Sequence, residues 1–198
     1  MSHHRDDVVR HALAVLDRYG LESLTMRRLA SDLDVRPSAL YWHFASKQAL
    51  LAAVAEEVLA PLHTLPARTA DDPWEEQVRA WCRGLRDAVL AHRDGAEVVA
   101  TTWSFGLGAR APYDGLVAVL GNAAPHGAAL PRQVAEAAAL TLLHFTFGHT
   151  TDEQTHLQAN SAGAIDTPVA TMVASAADSY GLGLDLVLDG VRARADAR

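Results

Sequence analysis

Thr25-Met-Arg-Arg-Leu-Ala-Ser-Asp-Leu-Asp-Val-Arg-Pro-Ser-Ala-Leu-Tyr-Trp-His-Phe44 decides the fold. Thr25 suits the N-cap of a short helix from Met26 to about Leu33, because its hydroxyl can accept from an early backbone N–H. Asp34 then falls at a tight turn, and a short acidic side chain tolerates a left-handed backbone better than most. Pro37 suits the first turn of the next helix, where its missing N–H has no intrahelical partner to lose. That second helix is expected to run to about Phe44. Leu29, Leu33, Val35 and Leu40 can meet inside the angle between the two, and Ala30 is small where they must approach. A scaffold helix, a sharp turn and a second helix free to enter a major groove make a helix-turn-helix.

The surrounding pattern is helical as well. Val9, Ala12, Leu13 and Leu16 recur at the spacing of one helix face, and Tyr19-Gly20 ends that helix. Ser46 can cap a fourth helix striped by Leu50, Leu51, Val54 and Val58. Pro61, Pro66 and the polar stretch Ala67–Pro73 interrupt the chain. Beyond them the periodicity predicts helices near Trp74–Ala91, Asp94–Thr101, Tyr113–Asn122, Pro131–Gln154, Thr167–Asp178 and Leu182–Ala195. Gln158–Asp166 has loop composition. No alternating strand pattern of useful length and no 20–50-residue repeat is present. The expected architecture is all-α. Residues 1–48 form a helix-turn-helix module, residues 49–198 form a larger helical domain, and the helix at 46–60 connects them.

Composition narrows the function. The 198 residues are 49% hydrophobic and 21% charged, enough apolar material for a sizeable core. The single cysteine, Cys82, excludes an intramolecular disulfide and a cysteine-based zinc site. The low-charge run Ala137–Thr151 is shorter than the roughly 20 residues of a membrane span. The opening Met1-Ser-His-His-Arg-Asp-Asp has no apolar signal region, so a cytoplasmic protein without membrane association is expected. His3 and His4 are expected to be disordered, and His126, beside Pro125 and Gly127, reads as a loop residue. Net charge is −7, yet residues 1–50 hold seven Lys/Arg against six Asp/Glu. An acidic whole argues against indiscriminate nucleic-acid binding and permits a local basic surface. Nucleotide-binding glycine loops and the G-x-S-x-G nucleophile motif are absent, so no enzyme and no cofactor is expected.

Arg36, Ser38, Tyr41, Trp42 and His43 lie on or beside the outward surface of the second helix of the motif. Arginine can pair bidentately with guanine, and hydroxyls and imidazoles reach phosphates or base edges. Lys47 adds its charge to the positive N-terminus of the next helix, a phosphate clamp. From Val8 to Leu59 the sequence resembles the tetracycline-repressor (TetR) family of bacterial regulators. The resemblance is carried by Gly20, Leu24-Thr25, Arg28-Leu29-Ala30 and Leu40-Tyr41-Trp42-His43-Phe44…Lys47…Leu50-Leu51. It implies DNA contacts from Thr25 and Arg27 as well as from Arg36, Tyr41, His43 and Lys47. Phe44 is read as core, and Trp42 as half core and half phosphate contact. Asp34 departs from the glycine common at that turn in the family.

The resemblance continues through His92-Arg-Asp-Gly-Ala-Glu, His144-Phe-Thr-Phe-Gly and Gly183-Leu-Asp-Leu-Val-Leu-Asp-Gly-Val. It implies a C-terminal domain that binds a small molecule and forms a homodimer through a four-helix bundle. Leu184, Val187, Leu188 and Val191 form an apolar stripe that suits such an interface, with Gly183 and Gly190 allowing close approach. The alternative is that these residues serve only the chain's own core. Ala135–Leu143, with only Glu136 charged, is too apolar for an exposed helix. A two-fold dimer matches a palindromic DNA operator with recognition helices ~34 Å apart.

Carried over from the family, the effector pocket comprises His63, Trp81, Leu85, Val99, Thr102 and Trp103, with Phe105, Phe145, His149 and Asp152 as additions. Trp81 replaces the asparagine that grips tetracycline, and Val99 falls where a histidine holds its magnesium. Both changes exchange polar grip for apolar surface, so a flat, largely apolar or aromatic effector is expected in place of magnesium–tetracycline. The alternative is that these aromatics fill the core. His149, Glu153 and His156 share a helix face that could ligate a metal. They are read instead as a solvated or ligand-facing polar surface, and no metal is expected. The reading is a ligand-responsive repressor. Its alternative is a DNA-binding dimer controlled by a protein partner, or an activator, without a small-molecule inducer.

Overall fold

The computed structural model describes residues 4–64, 72–108, 110–123 and 129–196. His3, His126 and the segment 65–71, which includes Pro66, lie outside the described residues. The described residues are helical and contain no strand. In order they form α1 (Arg5–Tyr19), α2 (Met26–Asp32), α3 (Pro37–Tyr41), α4 (Lys47–Leu59), a 3-10 turn (Ala60–Thr64), α5 (Trp74–Leu90), α6 (Gly95–Ser104), α7 (Ala111–Gly121), α8 (Arg132–Ser161) and α9 (Val169–Asp196). The chain divides into two compact units, residues 1–63 with 87–109, and residues 64–86 with 110–198. The first unit therefore holds α4 and α6 together with the helix-turn-helix, and α5 is shared.

In the first unit, His4 is not disordered as expected but is the N-cap residue of α1, its N–H held by the Asp7 carboxylate at 3.0 Å. Val8, Ala12 and Leu16 of α1 are buried with Leu24, Leu29, Leu40, Phe44, Leu50, Val54 and Val58. Each large apolar side chain among them contributes roughly 1.5–3 kcal/mol of burial. The end of α1 is tied to the turn before α6 by two reciprocal carboxylates. Asp17 accepts from the Arg93 N–H at 3.2 Å and lies 3.1 Å from His92 Nδ1. Asp94 accepts from the Leu21 N–H at 2.7 Å. Gly20 makes this approach possible, since a Cβ there would lie 2.9 Å from Asp94 Oδ2.

In the second unit, α7, α8, α9 and the first part of α5 enclose a core that includes Val78, Cys82, Leu116, Leu120, Leu142, Leu184 and Leu188. Tyr180 is buried there and donates to the Cys82 carbonyl at 2.9 Å, with Thr146 Oγ1 3.0 Å from the same hydroxyl. The two helices expected at Thr167–Asp178 and Leu182–Ala195 are one continuous helix, α9. Gly181 and Gly183 do not interrupt it, because Gly183 makes room for a neighbour. A Cβ there would lie 2.6 Å from Phe145 Cε2 and nearer still to its Cζ. The helix α8 likewise runs to Ser161, and the expected loop at 158–166 becomes a connection from Ala162 to Pro168.

The apolar stripe expected at a dimer surface has another place. Leu184, Leu188 and Val191 are at most 6% exposed and pack into this unit's own core, and Val187 is half-buried. Gly183 serves Phe145 of the same chain. Of the apolar run on α8, Ala135, Ala138, Ala139, Leu142 and Leu143 are also interior. The apolar side chains left outside include Leu140 of α8 and Leu182 and Leu186 of α9, the last two 63% and 66% exposed.

Candidate nucleic-acid interface and effector region

The turn between α2 and α3 forms as its residues dictate. Thr25 Oγ1 accepts from the Arg28 N–H at 3.1 Å and starts α2. Its own hydroxyl proton remains available to an outside acceptor. At the other end Asp34 adopts φ +52°. The Val35 N–H reaches Ala30 O at 2.9 Å and the Asp34 N–H reaches Ser31 O at 3.2 Å, the paired bonds that end a helix on a left-handed residue. Arg36 is the N-cap residue of α3 and Pro37 its first residue.

The helix α3 stops at Tyr41, short of the expected Phe44. The His43 and Phe44 N–H groups both turn back to Leu40 O. This bend delivers Phe44 into the core, where it is 2% exposed. It also throws Trp42 outward: the side chain is 89% exposed, not half core as the sequence suggested. Tyr41 is 51% exposed, and Arg36, Ser38 and His43 are exposed beside it. Thr25 and Arg27 are exposed on the preceding segment, and Lys47 is half-buried at the first position of α4.

Two adjacent exposed aromatics are costly in water and mark a contact surface. The cations around them sort by partner. Arg10 pairs with Asp7, and Arg28 lies 3.6 Å from Asp32 and 3.7 Å above the Tyr19 ring. Arg27, Arg36 and Lys47 have no carboxylate within salt-bridge reach among the described residues. Unspent cations next to exposed aromatics, hydroxyls and an imidazole are the donor set that phosphates and base edges require.

The residues expected around an effector are distributed over both units. In the first, His63 is exposed on the 3-10 turn after α4, in a polar groove with Arg5, Asp6, Arg10, Glu56 and Glu57. Val99 and Thr102 are buried on α6. The Thr102 hydroxyl is spent on the helix, 2.9 Å from Val98 O and 3.0 Å from Val99 O. Trp103 is half-buried, and Phe105, which follows α6, is 63% exposed.

In the second unit Leu85 is fully buried, and Trp81 packs against the core. The Trp81 indole N–H donates to Pro112 O at 3.0 Å, and its ring lies over Gly115. Phe145 stacks on Tyr180 at 5.4 Å, with the His149 ring 5.1 Å from the latter. His149 and Asp152 line a cleft of about 450 Å³ between α8 and α9, together with Glu153, His156, Met172 and Ser179.

No spacing in the sequence pointed to the ion pair at this cleft. Arg86 binds Glu153 through two bonds of 2.6 and 3.1 Å, across 67 residues of chain, with side chains 14% and 5% exposed. Glu153 is therefore committed to Arg86. His149 Nε2 lies 2.9 Å from Ser179 Oγ. Burial lowers the His149 pKa and the Arg86 cation lowers it further, against the opposing pull of Glu153 and Asp152. Burial pushes the Cys82 thiol up to about 12. Among the described residues no group of three His, Cys, Asp or Glu side chains is arranged to hold a metal, and no helix is long and apolar enough to cross a membrane.

Residues 8–54 match the family described as bacterial regulatory proteins, tetR family, and residues 65–181 match the tetracyclin repressor-like C-terminal domain. The class A tetracycline repressor of Escherichia coli is 47% identical over 95 residues, 48% of this chain and 44% of that protein. The chain thus spans about half the length of the first curated relatives it matches. Among solved structures, Mycobacterium smegmatis BioQ superposes with a TM-score of 0.83 at 39% identity, covering 96% of this chain and 98% of that one. BioQ has also been solved with its double-stranded DNA operator. A single-substitution variant of TetR from Acinetobacter baumannii AYE, in complex with minocycline, superposes with a TM-score of 0.72 at 29% identity, covering 95% and 96%. Helix order, turn geometry and both sequence matches agree: the chain belongs to the tetracycline-repressor family.

Proposed function

We propose that this chain is a transcriptional repressor that binds a palindromic operator as a homodimer and is released by a small, largely apolar or aromatic effector. Residues 1–48 read DNA, and residues 49–198 bind the effector and dimerise. The observation that carries the reading is the exposed Tyr41-Trp42 pair among Arg27, Arg36, His43 and Lys47, none of whose cations is spent on a described carboxylate. In this reading Arg36, Ser38, Tyr41, Trp42 and His43 meet bases and phosphates from α3 and the residues flanking it, and Thr25, Arg27 and Lys47 hold the backbone. The structure of BioQ on its operator supports the DNA half, and the minocycline complex of the Acinetobacter protein supports the effector half. For dimerisation, the exposed Leu182 and Leu186 of α9 and Leu140 of α8 are apolar side chains that these helices leave for a partner.

Release follows from linkage: the effector must bind the DNA-incompetent dimer more tightly than the DNA-competent one. The lever is α4, which begins at Lys47 and is followed by the turn that carries His63. An effector that touches His63 shifts α4 and with it the spacing of the two α3 helices. The lodging of Trp81 against Gly115, with its N–H satisfied by Pro112, favours a second reading for part of the pocket. In it the aromatics complete the core and a protein partner controls the dimer, which could also act as an activator.

Fluorescence anisotropy on the DNA upstream of the chain's own gene, at several salt concentrations, tests the proposal. Tight, salt-dependent binding with two chains per palindrome is expected. Weak binding, equal on random DNA, would refute the autoregulated repressor. His63→Ala is expected to weaken effector-driven release; normal release would show that the lever is wrong.

A further inference from the structure

The proposed DNA contacts all come from Thr25 to Lys47. One more unspent cation stands against that segment from a different part of the chain. Arg5 is the first residue of α1 and is exposed. Its guanidinium carbon lies 5.0 Å from the centroid of the Phe44 ring. It forms no salt bridge with a described carboxylate, in contrast to Arg10 further along α1, which pairs with Asp7. Phe44 is itself immobile: it is 2% exposed, and its N–H is bonded to Leu40 O at 2.9 Å. It directly follows Tyr41-Trp42-His43 and precedes the Ser46 cap of α4, whose Oγ accepts from the Ala49 N–H.

We propose that Arg5 is a DNA-backbone contact, held beside the reading segment by stacking on the Phe44 ring. An arginine over an aromatic face keeps its edge N–H groups free, so the same guanidinium can stack and bind a phosphate at once. A cation held in this way loses less freedom on binding than one on a free side chain. The contact is to phosphate, which carries no sequence information, so it strengthens binding to every duplex alike. The inference rests on the reading of α2 and α3 as the DNA-reading element. It adds to that element a residue from outside the helix-turn-helix, at the very start of α1.

The test is the salt dependence of binding by the full chain, for the wild type, Arg5→Ala and Arg5→Lys, on operator and on random duplex. One phosphate contact per protomer is two per dimer, and loss of two should reduce the slope of log K against log salt by about 1.8. Between about 50 and 200 mM salt the wild-type affinity should then fall about 12-fold further than that of Arg5→Ala. Arg5→Lys, which keeps the charge without the planar stack, should lie between them. Arg5→Ala removes an exposed side chain and its contact with the Phe44 ring, so the thermal midpoint should fall only slightly and stay well above the assay temperature, and binding is read on folded protein. An unchanged slope for Arg5→Ala, with salt-dependent operator binding by the wild type intact, would overturn the assignment of Arg5 alone. A loss on the operator with none on random duplex would overturn the phosphate contact. A wild type that shows no salt-dependent binding to any duplex would overturn the reading of the interface itself.

Discussion

Gly115→Ala separates two physical expectations of opposite sign. Gly115 lies inside α7, where replacing glycine by alanine ordinarily stabilises a helix by ~1 kcal/mol. Here the added methyl would sit 2.5 Å from Trp81 Cε2 and 2.7 Å from Cη2, and nearer still to Cζ2. Ordinary carbon contacts begin near 3.4 Å, so the rigid indole must move by about 1 Å. Overpacking of this kind costs roughly 1–3 kcal/mol. Movement also strains the 3.0 Å bond from the indole N–H to Pro112 O, worth about 1 kcal/mol. Set against the helix gain, the net effect is a loss of about 2 kcal/mol, or about 4–8 °C in the thermal midpoint of a chain of this size. The assay is chemical and thermal unfolding of the wild type, Gly115→Ala, Trp81→Leu and the double variant. Trp81→Leu should be destabilising by itself, and the double variant should be more stable than the sum of the two by about 1–3 kcal/mol. If Gly115→Ala raises stability by the ordinary ~1 kcal/mol, the indole does not lie over Gly115 and the reasoning fails.

Four further outcomes are expected. Glu153→Ala leaves Arg86 buried without its carboxylate and should cost about 3–5 kcal/mol by chemical unfolding, while the Arg86→Met/Glu153→Leu pair should cost much less than the sum of its parts; additive losses would show that the pair is not coupled. Trp42→Ala should weaken operator binding severalfold with no fall in the thermal midpoint, because the side chain is 89% exposed; a destabilised variant would place Trp42 in the core after all. Cys82 should resist alkylation at about pH 8, since burial pushes its pKa to about 12 and leaves almost no thiolate; rapid labelling of the native protein would contradict that burial. His149 is held below its ordinary pKa, so the unfolded chain binds its proton more readily, and its stabilising contribution is present above the unfolded value near 6.5 and is lost as pH falls through the folded value. His149→Gln should therefore reduce the loss of stability on acidification, and an unaltered pH profile would rule out this cause.

The amino-acid sequence by itself determined the helix-turn-helix. The N-cap at Thr25, the left-handed Asp34, Pro37 opening α3 and Ser46 capping α4 all act over three or four residues. Such signals are legible because the interacting groups are neighbours in the chain. The same holds for the family resemblance, which rests on contiguous spacing from Leu40 to Leu51. At Trp42 the local reading ran out. Whether the aromatic that follows a five-residue helix packs or projects depends on how the chain bends after Tyr41, and that goes with the burial of Phe44.

Tertiary structure decided the rest. On α9 two apolar stripes compete, Leu184–Leu188–Val191 and Leu182–Leu186, and both have helical spacing. Only the packing of α8 and Phe145 against Gly183 assigns the first to the core and leaves the second outside. The continuity of α9 through its glycines has the same origin, because a close neighbour compensates the weak helix propensity of glycine. The Arg86–Glu153 pair joins residues 67 apart, and the Asp17 and Asp94 ties join residues 73 to 76 apart. No spacing rule reaches across such intervals. Short-range hydrogen bonding specifies where helices begin and end, whereas the choice among equally apolar faces and distant charged partners is made only when the helices meet.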